Sequence, residues 1–304
     1  MHPEDINILD IDKCNEKLKE WFRITDRGLH KEEAESILEV KNVDFSYNGR
    51  RKILNNLSFD VKKGEMLSVI GKNGAGKSTI SKLICGFYKP TNGDNLYKGK
   101  SILKDSIKER AEKISMVMQN PNQMISKTMI FDEVALGLRV RGVSEDEVKE
   151  RVFNTLKVCG LFPFRNWPIS ALSFGQKKRV SIAAILVLNP SVPILDEPTA
   201  GQDFKHYTEI MEFLHELNKK GVTIIMITHD MHLMLEYTNR AIVLSEGRKL
   251  KEDSTWNILT DAQIIKEANL KETSLYRIAQ RAGLDDPREF VKRFIEEDRR
   301  IRKI

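Results

Sequence analysis

The feature that most constrains this chain is a glycine-rich segment at residues 71–79, with the sequence Gly-Lys-Asn-Gly-Ala-Gly-Lys-Ser-Thr. An apolar run at residues 66–70 precedes it with the length of a buried strand, and residues 79–85 continue at helical spacing. The segment thus has the strand, loop and helix context of a phosphate-binding P-loop. A glycine- and serine-rich turn without function is the alternative, and this context argues against it.

Individual residues of the segment suit a polyphosphate ligand. Gly74 and Gly76 let the backbone wrap closely around phosphates, and the N-terminus of the following helix adds a favourable dipole. Lys77 would offer a cation to the β- and γ-phosphates, and the Ser78 hydroxyl would ligate Mg²⁺. The segment therefore predicts a site for a nucleotide and its metal ion.

The composition is that of a globular protein. The chain has 304 residues, 40% apolar and 31% charged, which allows one large domain or two modest ones. Its longest apolar stretches, at residues 180–188 and 222–227, are shorter than the roughly 18 residues that cross a bilayer. No signal-peptide pattern opens the sequence. We expect a cytoplasmic chain whose membrane role, if it has one, needs a separate partner.

Charge and cysteine content add little evidence for other functions. The net charge of +6 is weak evidence for nucleic-acid binding, because a nucleotide site itself favours positive charge, and no nucleic-acid partner is expected. Cys14, Cys85 and Cys159 lie far apart without metal-ligand or redox spacing. They are predicted to be reduced, partly buried thiols.

Two acidic residues and a histidine follow buried strands farther along the chain. Asp196 and Glu197 end an apolar run, where Asp196 would hold magnesium and Glu197 would orient or deprotonate a hydrolytic water. His229 follows the strand predicted at residues 222–228, at the sheet edge where such folds bind ligands, and can contact a γ-phosphate. The histidines predicted on solvated helical faces are His206, His215 and His232. Asp196 and Glu197 could instead cap the next turn.

Three further residues indicate a function only in combination with the P-loop. Tyr47 could stack on an adenine or pack as an ordinary strand aromatic. Gln119, after the strand predicted at residues 114–118, could reach a magnesium ion or the attacking water. Ser173 is placed as the N-cap of a helix, which is either a simple capped helix or an anion site.

The sequence divides into a β-rich entry, a P-loop core and a helical end. Residues 1–36 are predicted to be an extension or linker, with a short amphipathic helix near residues 15–23. Residues 37–260 form the predicted α/β domain, in which residues 124–190 make a helical subdomain. Residues 261–304 form a helical tail with Phe290, Phe294 and Ile295 on one side.

In this order, the elements resemble the ATP-binding subunit of an ABC transporter over residues 37–260. The fold implied is an α/β P-loop NTPase core with an antiparallel β subdomain and a helical subdomain. The matching motifs are the aromatic loop at Tyr47, the Walker A motif at Gly71, Asn73, Gly74, Ala75, Gly76, Lys77, Ser78 and Thr79, the Q-loop at Gln119, the signature at residues 172–176, the Walker B motif at residues 194–197, the D-loop at Asp203 and the switch histidine His229.

The resemblance implies a head-to-tail dimer that holds two ATP molecules with Mg²⁺ between its subunits. Ser173, Gly175 and Gln176 would bind the γ-phosphate of the nucleotide held by the second ATPase subunit, which is the same or a homologous chain. Integral membrane subunits would dock near Gln119, so the chain would lie at the cytoplasmic face of the membrane. Glu197, His229 and Gln119 would be its catalytic residues, with Ser78, Gln119 and Asp196 on the metal.

Two positions depart from the family pattern. Phe174 replaces the usual glycine of the signature, and Gln202 stands where an apolar residue is commoner in the D-loop. Phe174 puts a bulky side chain beside the predicted phosphate site and could slow the reaction or shift the backbone contacts. Because Glu197 and His229 are intact, we expect the site to hydrolyse ATP.

The signature, the loop at residues 119–123 and the tail resemble ATPases of energy-coupling factor importers for vitamins, vitamin precursors or metal ions. An importer subunit is therefore the expected function. An exporter ATPase shares the same catalytic motifs and remains an alternative. A soluble, non-transport ABC ATPase is the other, although no coiled-coil insertion or second ATPase domain is visible in the sequence.

Overall fold

The computed structural model describes residues 35–200 and 204–302, together with Glu16, Lys19 and Glu20. These three residues have helical backbone, within the segment where the sequence predicts a short helix. The rest of that helix and Asp203, which the resemblance places in the D-loop as a nucleotide-binding residue, lie outside the described residues.

The described residues form ten strands and eleven α-helices. In chain order they are β1 (Ser36–Phe45), β2 (Leu54–Lys62), β3 (Met66–Ile70), α1 (Lys77–Ile84), β4 (Asn92–Tyr97), β5 (Lys100–Ser101), α2 (Ile107–Ala111), β6 (Ile114–Val117), α3 (Ile130–Val140), α4 (Glu145–Val158), α5 (Phe174–Leu186), β7 (Val192–Asp196), α6 (Phe204–Lys219), β8 (Ile224–Ile227), α7 (Met231–Tyr237), β9 (Arg240–Ser245), β10 (Arg248–Ser254), α8 (Thr255–Leu259), α9 (Ala262–Glu267), α10 (Ser274–Arg281) and α11 (Pro287–Arg302).

A six-stranded sheet in the order β10-β9-β3-β8-β7-β6 forms the centre of the fold. Strands β9, β3, β8, β7 and β6 are parallel, and β10 pairs antiparallel with β9. Every residue of β3, β7 and β8 is buried, as expected for apolar strands in a sheet with both faces covered. The carboxyl ends of these strands share one edge, where sheets of this type bind ligands.

A second sheet in the order β2-β1-β4-β5 is antiparallel. Its apolar side chains join those of the central sheet and of α1 in one hydrophobic cluster. Residues 90–93, Pro-Thr-Asn-Gly, have the composition of a turn, yet β4 begins at Asn92 and pairs with β1. The Asn-Gly-Asp-Asn start of β4 lacks the apolar alternation that identifies a strand.

The helices α3, α4 and α5 share a separate apolar cluster. Val152, Leu156 and Cys159 of this cluster are buried, as expected for apolar residues spaced three or four apart on one side of a helix. Ser173 is the N-cap of α5, and its hydroxyl accepts from the backbone N–H of Gln176 while the Gln176 side chain accepts from the backbone N–H of Ser173. This capping box fixes where the signature helix begins.

The C-terminal helices α8 to α11 pack with α7 and β9 in a further apolar cluster. Phe290 and Ile295 are buried and Phe294 is partly buried there, which confirms the apolar side predicted for the tail. The prediction of a solvated His215 is wrong. Its ring packs against Tyr237 with centroids 6.2 Å apart, because the helix face that carries it lies under α7 rather than toward solvent.

Candidate active site

The P-loop connects β3 to α1, as the sequence predicts. Gly76 is the N-cap of α1 and has a φ of +103°, a backbone conformation that side chains disfavour. A Cβ atom at this position would lie 2.5 Å from Cδ2 of Leu54. A residue with a side chain would therefore be strained at position 76 and would displace the Leu54 side chain of β2.

Lys77 reaches back across the loop that precedes it. Its Nζ donates to the carbonyl oxygen of Gly71 at 2.6 Å and to that of Lys72 at 3.2 Å. Burial lowers the pKa of Lys77, while Glu197 and Asp196 act in the opposite direction. The ammonium thus lies in the middle of the loop, with two carboxylates close enough to stabilise its charge.

Ser78 and Asp196 meet where α1 begins and β7 ends. The Ser78 hydroxyl donates to Oδ2 of Asp196 over 3.1 Å. Burial raises the pKa of Asp196, and the Ser78 hydrogen bond, Lys178 and Lys77 lower it. A hydroxyl and a partly desolvated carboxylate therefore lie side by side next to the P-loop.

Glu197 and His229 come together from the ends of two adjacent strands, β7 and β8. Nδ1 of His229 lies 2.6 Å from Oε1 of Glu197. Glu197 is buried and has a φ of +48°, a left-handed conformation uncommon for a residue other than glycine. Its backbone N–H donates to Ile227 at 2.9 Å, which holds the peptide in place. Such backbone geometry is often found at functional sites.

Lys178 is a buried residue of this region that belongs to none of the sequence motifs described above. It is 0% exposed, and its Nζ donates to Met118 O at 2.7 Å, Gln119 O at 2.8 Å and Asp196 O at 3.3 Å. Burial lowers its pKa to about 8. In the sequence, the buried state of Lys178 could have been suspected only from its place next to the apolar residues of α5. Charged residues near the start of a helix are common, so this pattern does not identify a buried lysine.

The side chain of Gln119, whose backbone Lys178 contacts, is exposed.

Tyr47 lies against the start of α1. Its hydroxyl shares a hydrogen bond of 3.1 Å with the hydroxyl of Thr79. Its ring packs edge-on against Phe45 and Tyr88 at centroid distances of 4.9 and 5.3 Å, and the residue is still 56% exposed. Phe45 and Tyr88 therefore pack against one side of the Tyr47 ring, and the rest of the ring is exposed to solvent.

The structure brings together the P-loop, Asp196, Glu197 and His229, but not the signature residues. Gly175 is buried, Ser173 and Gln176 are engaged in the cap of α5, and Phe174 is 41% exposed. Within residues 35–200 and 204–302, no hydrogen bond or ion pair joins these signature residues to residues 71–79. Asn73, Gly74 and Ala75 lie in the P-loop as predicted.

Three comparisons with known proteins agree with this geometry. The sequence model of the ABC transporter family matches residues 54–200. A provisionally named ABC transporter ATP-binding protein of Clostridium perfringens is 62% identical over 99% of this chain, and one of Enterococcus faecalis is 59% identical over 88%. These matches cover 53% and 47% of the two relatives, so the chain spans about half the length of the curated proteins it matches.

Solved structures match the whole cassette. CbiO1 from Clostridium perfringens, part of the ABC transporter complex CbiONQ, is 35% identical with a TM-score of 0.72, covering 82% of this chain and 100% of CbiO1. A dimeric ATP-binding cassette with bound ADP and phosphate is 30% identical with a TM-score of 0.65, covering 72% of this chain and 98% of that cassette.

A P-loop beside two buried carboxylates at the edge of a parallel sheet defines a nucleotide-binding α/β protein. The chain belongs to the family of ABC transporter ATP-binding subunits, the ABC ATPases, as its likeness to complete cassettes shows. None of the helices in the described residues combines the length and apolar character of a membrane span.

Proposed function

We propose that this chain binds and hydrolyses ATP as the energy-supplying subunit of a membrane importer. The observation that carries the proposal is the contact between Glu197 and His229, 2.6 Å long, beside the P-loop. A buried carboxylate that a second side chain orients is the arrangement that a general base requires. Glu197 would accept a proton from the attacking water, and His229 would hold Glu197 and contact the γ-phosphate.

The residues near the P-loop fit a magnesium ion. Ser78 and Asp196 offer two oxygen donors 3.1 Å apart, and Mg²⁺ is usually bound through one or two carboxylates together with phosphate oxygens. Ser78, Asp196 and the side chain of Gln119 would hold the ion. When bound, Mg²⁺ would neutralise charge on the β- and γ-phosphates. Residues 71–79 would hold the phosphates, and Tyr47 would contact the base.

The signature residues would act on the nucleotide of a second ATPase subunit. Ser173, Gly175 and Gln176 lie at the start of α5, where the helix dipole favours an anion. Among the described residues, no hydrogen bond or ion pair joins them to the P-loop, and a related cassette is dimeric. A head-to-tail dimer would supply the missing half of each site, and Asp203 would also bind the nucleotide. The second cassette would be another copy of this chain or a homologous one.

Import of a small molecule is the proposed role of the whole assembly. It is supported by the 35% identity to CbiO1, which is part of a transporter complex, and by the resemblance of the signature and tail to energy-coupling factor ATPases. The chain would bind integral membrane subunits near Gln119 as a peripheral protein on the cytoplasmic face. Those subunits would select a vitamin, a vitamin precursor or a metal ion.

Glu197→Gln tests the catalytic assignment. The amide keeps the size of the side chain but is not a base, so we expect kcat for ATP hydrolysis to fall by about two to four decades. ATP binding, measured with a fluorescent analogue, should persist. The matched control is Glu216→Gln, which changes an exposed glutamate on α6. Turnover near the wild-type rate in Glu197→Gln would refute the role of Glu197 as the base.

Purification from membranes with a tag on this chain tests the transport assignment. A small substrate-binding membrane protein and a separate membrane scaffold should copurify. Membrane subunits without a binding component, coupled to outward movement of substrate, would favour the exporter alternative. Ribosomes or DNA in place of membrane proteins would overturn transport altogether.

A further inference from the structure

Lys178 is a buried cation that joins three separate segments of the fold. Its side chain extends from α5 and is fully buried, and its ammonium donates to three backbone carbonyl oxygens. Burying an ammonium is unfavourable unless its N–H groups find acceptors. Here the three N–H groups have three acceptors, at 2.7, 2.8 and 3.3 Å. The position of the ammonium is therefore tightly defined by its surroundings.

The three acceptors lie at the carboxyl ends of two adjacent strands. Met118 and Gln119 follow directly after β6, and Asp196 is the last residue of β7. These strands are parallel neighbours, with Val117 paired to Leu195. Lys178 therefore fixes the relative position of the two strand ends from which the Gln119 and Asp196 side chains extend.

The other end of this connection is the signature segment. Lys178 follows Ser173 and Gln176 on the same helix, α5, whose first turn is held by the capping box. An α-helix is stiff over this length, so a displacement of its first turn reaches Lys178 with little loss. The side chain then applies the displacement to the backbone of Gln119 and Asp196.

We propose that Lys178 is a positioning residue that couples the two nucleotide sites of the dimer. Contact of the α5 start with the partner's phosphate moves or rigidifies α5, and Lys178 transmits this change to Gln119 and Asp196 of its own site. The proposal rests on the function proposed above, because it requires ATP hydrolysis by a dimer. It assigns to Lys178 no contact with the nucleotide.

Two substitutions separate this role from a contribution to folding. Lys178→Met keeps most of the length of the stem but has no donor. Lys178→Gln keeps two donors on a shorter stem, so it should retain part of the connection. The matched control is Lys177→Met, which changes the neighbouring, half-exposed lysine on the same helix.

Hydrolysis kinetics give the first readout, with rates expressed per folded chain after circular dichroism and thermal melting. We expect Lys178→Met to lower kcat about tenfold or more, while the Kd for a fluorescent ATP analogue changes less than about threefold. The Hill coefficient for ATP should fall toward one because the coupling between sites is lost. Lys178→Gln should lie between Lys178→Met and wild type, and Lys177→Met should match wild type.

ATP-induced dimerisation gives a second readout that needs no turnover. In a Glu197→Gln background, light scattering measures the ATP concentration at which half of the chains are dimeric. We expect adding Lys178→Met to raise that concentration about tenfold, since engagement at one site no longer favours the other. Adding Lys177→Met should leave it unchanged.

Several results would overturn the proposal. Wild-type kcat and Hill coefficient in folded Lys178→Met would do so, as would a wild-type Hill coefficient of one. If Lys178→Met does not fold, the same measurements on Lys178→Gln test the proposal. A wild-type kcat and Hill coefficient in Lys178→Gln would then contradict it. Absence of ATPase activity in the unsubstituted protein is a different outcome, since it rejects the proposed function itself.

Discussion

At the scale of single residues, burial sets the pKa and the reactivity of the two described cysteines. Cys85 and Cys159 are free and buried, which confirms for these two the thiols predicted from sequence. Burial raises the pKa of both thiols to about 12, and nearby Arg110 and Arg179 only partly oppose this effect. Since the thiolate is the reactive form, both cysteines should be inert in the folded protein.

Alkylation measures this protection in a Cys14→Ser background. At pH 8 to 9 we expect iodoacetamide to modify neither thiol of the folded protein and both thiols in urea, with mass spectrometry as the readout. The raised pKa also sets a pH dependence of stability. The two buried thiols contribute fully to the free energy of unfolding below about pH 8.5, where the thiols of the unfolded chain are still protonated. This contribution declines as the pH rises toward 12, the pKa of the thiols in the folded protein. Rapid alkylation without denaturant would contradict the assignment.

At the scale of elements, the helix after His229 is held at both ends. Oδ1 of Asp230 accepts from the backbone N–H groups of His232 and Leu233 at the start of α7, at 2.9 and 3.1 Å. At the other end, Arg299 of α11 donates to carbonyl oxygens of Leu235, Glu236 and Thr238 at 3.0, 2.7 and 3.3 Å. A cation at the C-terminus of a helix satisfies its free carbonyls and its dipole. The C-terminal helix α11 is therefore bound to α7, the helix that follows His229.

Arg299→Met tests how firmly the tail is fastened. The substitution keeps an apolar stem but leaves buried carbonyls without a donor, so we expect a loss of about 2–3 kcal/mol of unfolding free energy. Urea denaturation and thermal melting measure the loss. Arg300→Met is the control, since Arg300 is exposed and pairs with Glu297 of its own helix, and it should have little effect. Equal stability of the two variants would show that Arg299 does not hold the tail.

At the scale of the whole molecule, no hydrogen bond or ion pair within the described residues joins residues 173–176 to the P-loop of the same chain. The P-loop, Asp196, Glu197 and His229 form one group, while the start of α5 belongs to another. If the second group acts on a partner's nucleotide, as proposed, activity requires association of two cassettes. Activity per chain then depends on protein concentration, which it would not if one chain held a complete site.

Dilution tests this dependence. As the concentration of the purified chain falls below the dissociation constant of the dimer, we expect ATPase activity per chain to drop by about half or more. Light scattering of Glu197→Gln should show the mass of a dimer with ATP and the mass of a monomer without it. Lys77→Ala, which lacks the P-loop cation, should remain monomeric in both conditions. Constant specific activity together with a single mass in ATP would contradict a shared site.

Much of the fold and site could be predicted from local sequence. The P-loop at residues 71–79, the acidic pair at the end of β7 and the Ser173 cap each depend on residues close together in the chain, so their conformations follow from short-range rules. Strands β4 and β5 show the limit of such rules, because neither has the apolar alternation of a strand. β4 forms along the edge of β1, and β5 pairs with β4.

The sequence by itself determined which residues are available for nucleotide chemistry, and the tertiary structure decided which of them meet. A parallel sheet aligns the carboxyl ends of strands that are distant in the chain, and so Glu197 meets His229 and Ser78 meets Asp196. Lys178 reaches the ends of β6 and β7 for the same reason. A buried lysine and an exposed one have the same sequence signal, because only packing determines whether water or protein surrounds the ammonium.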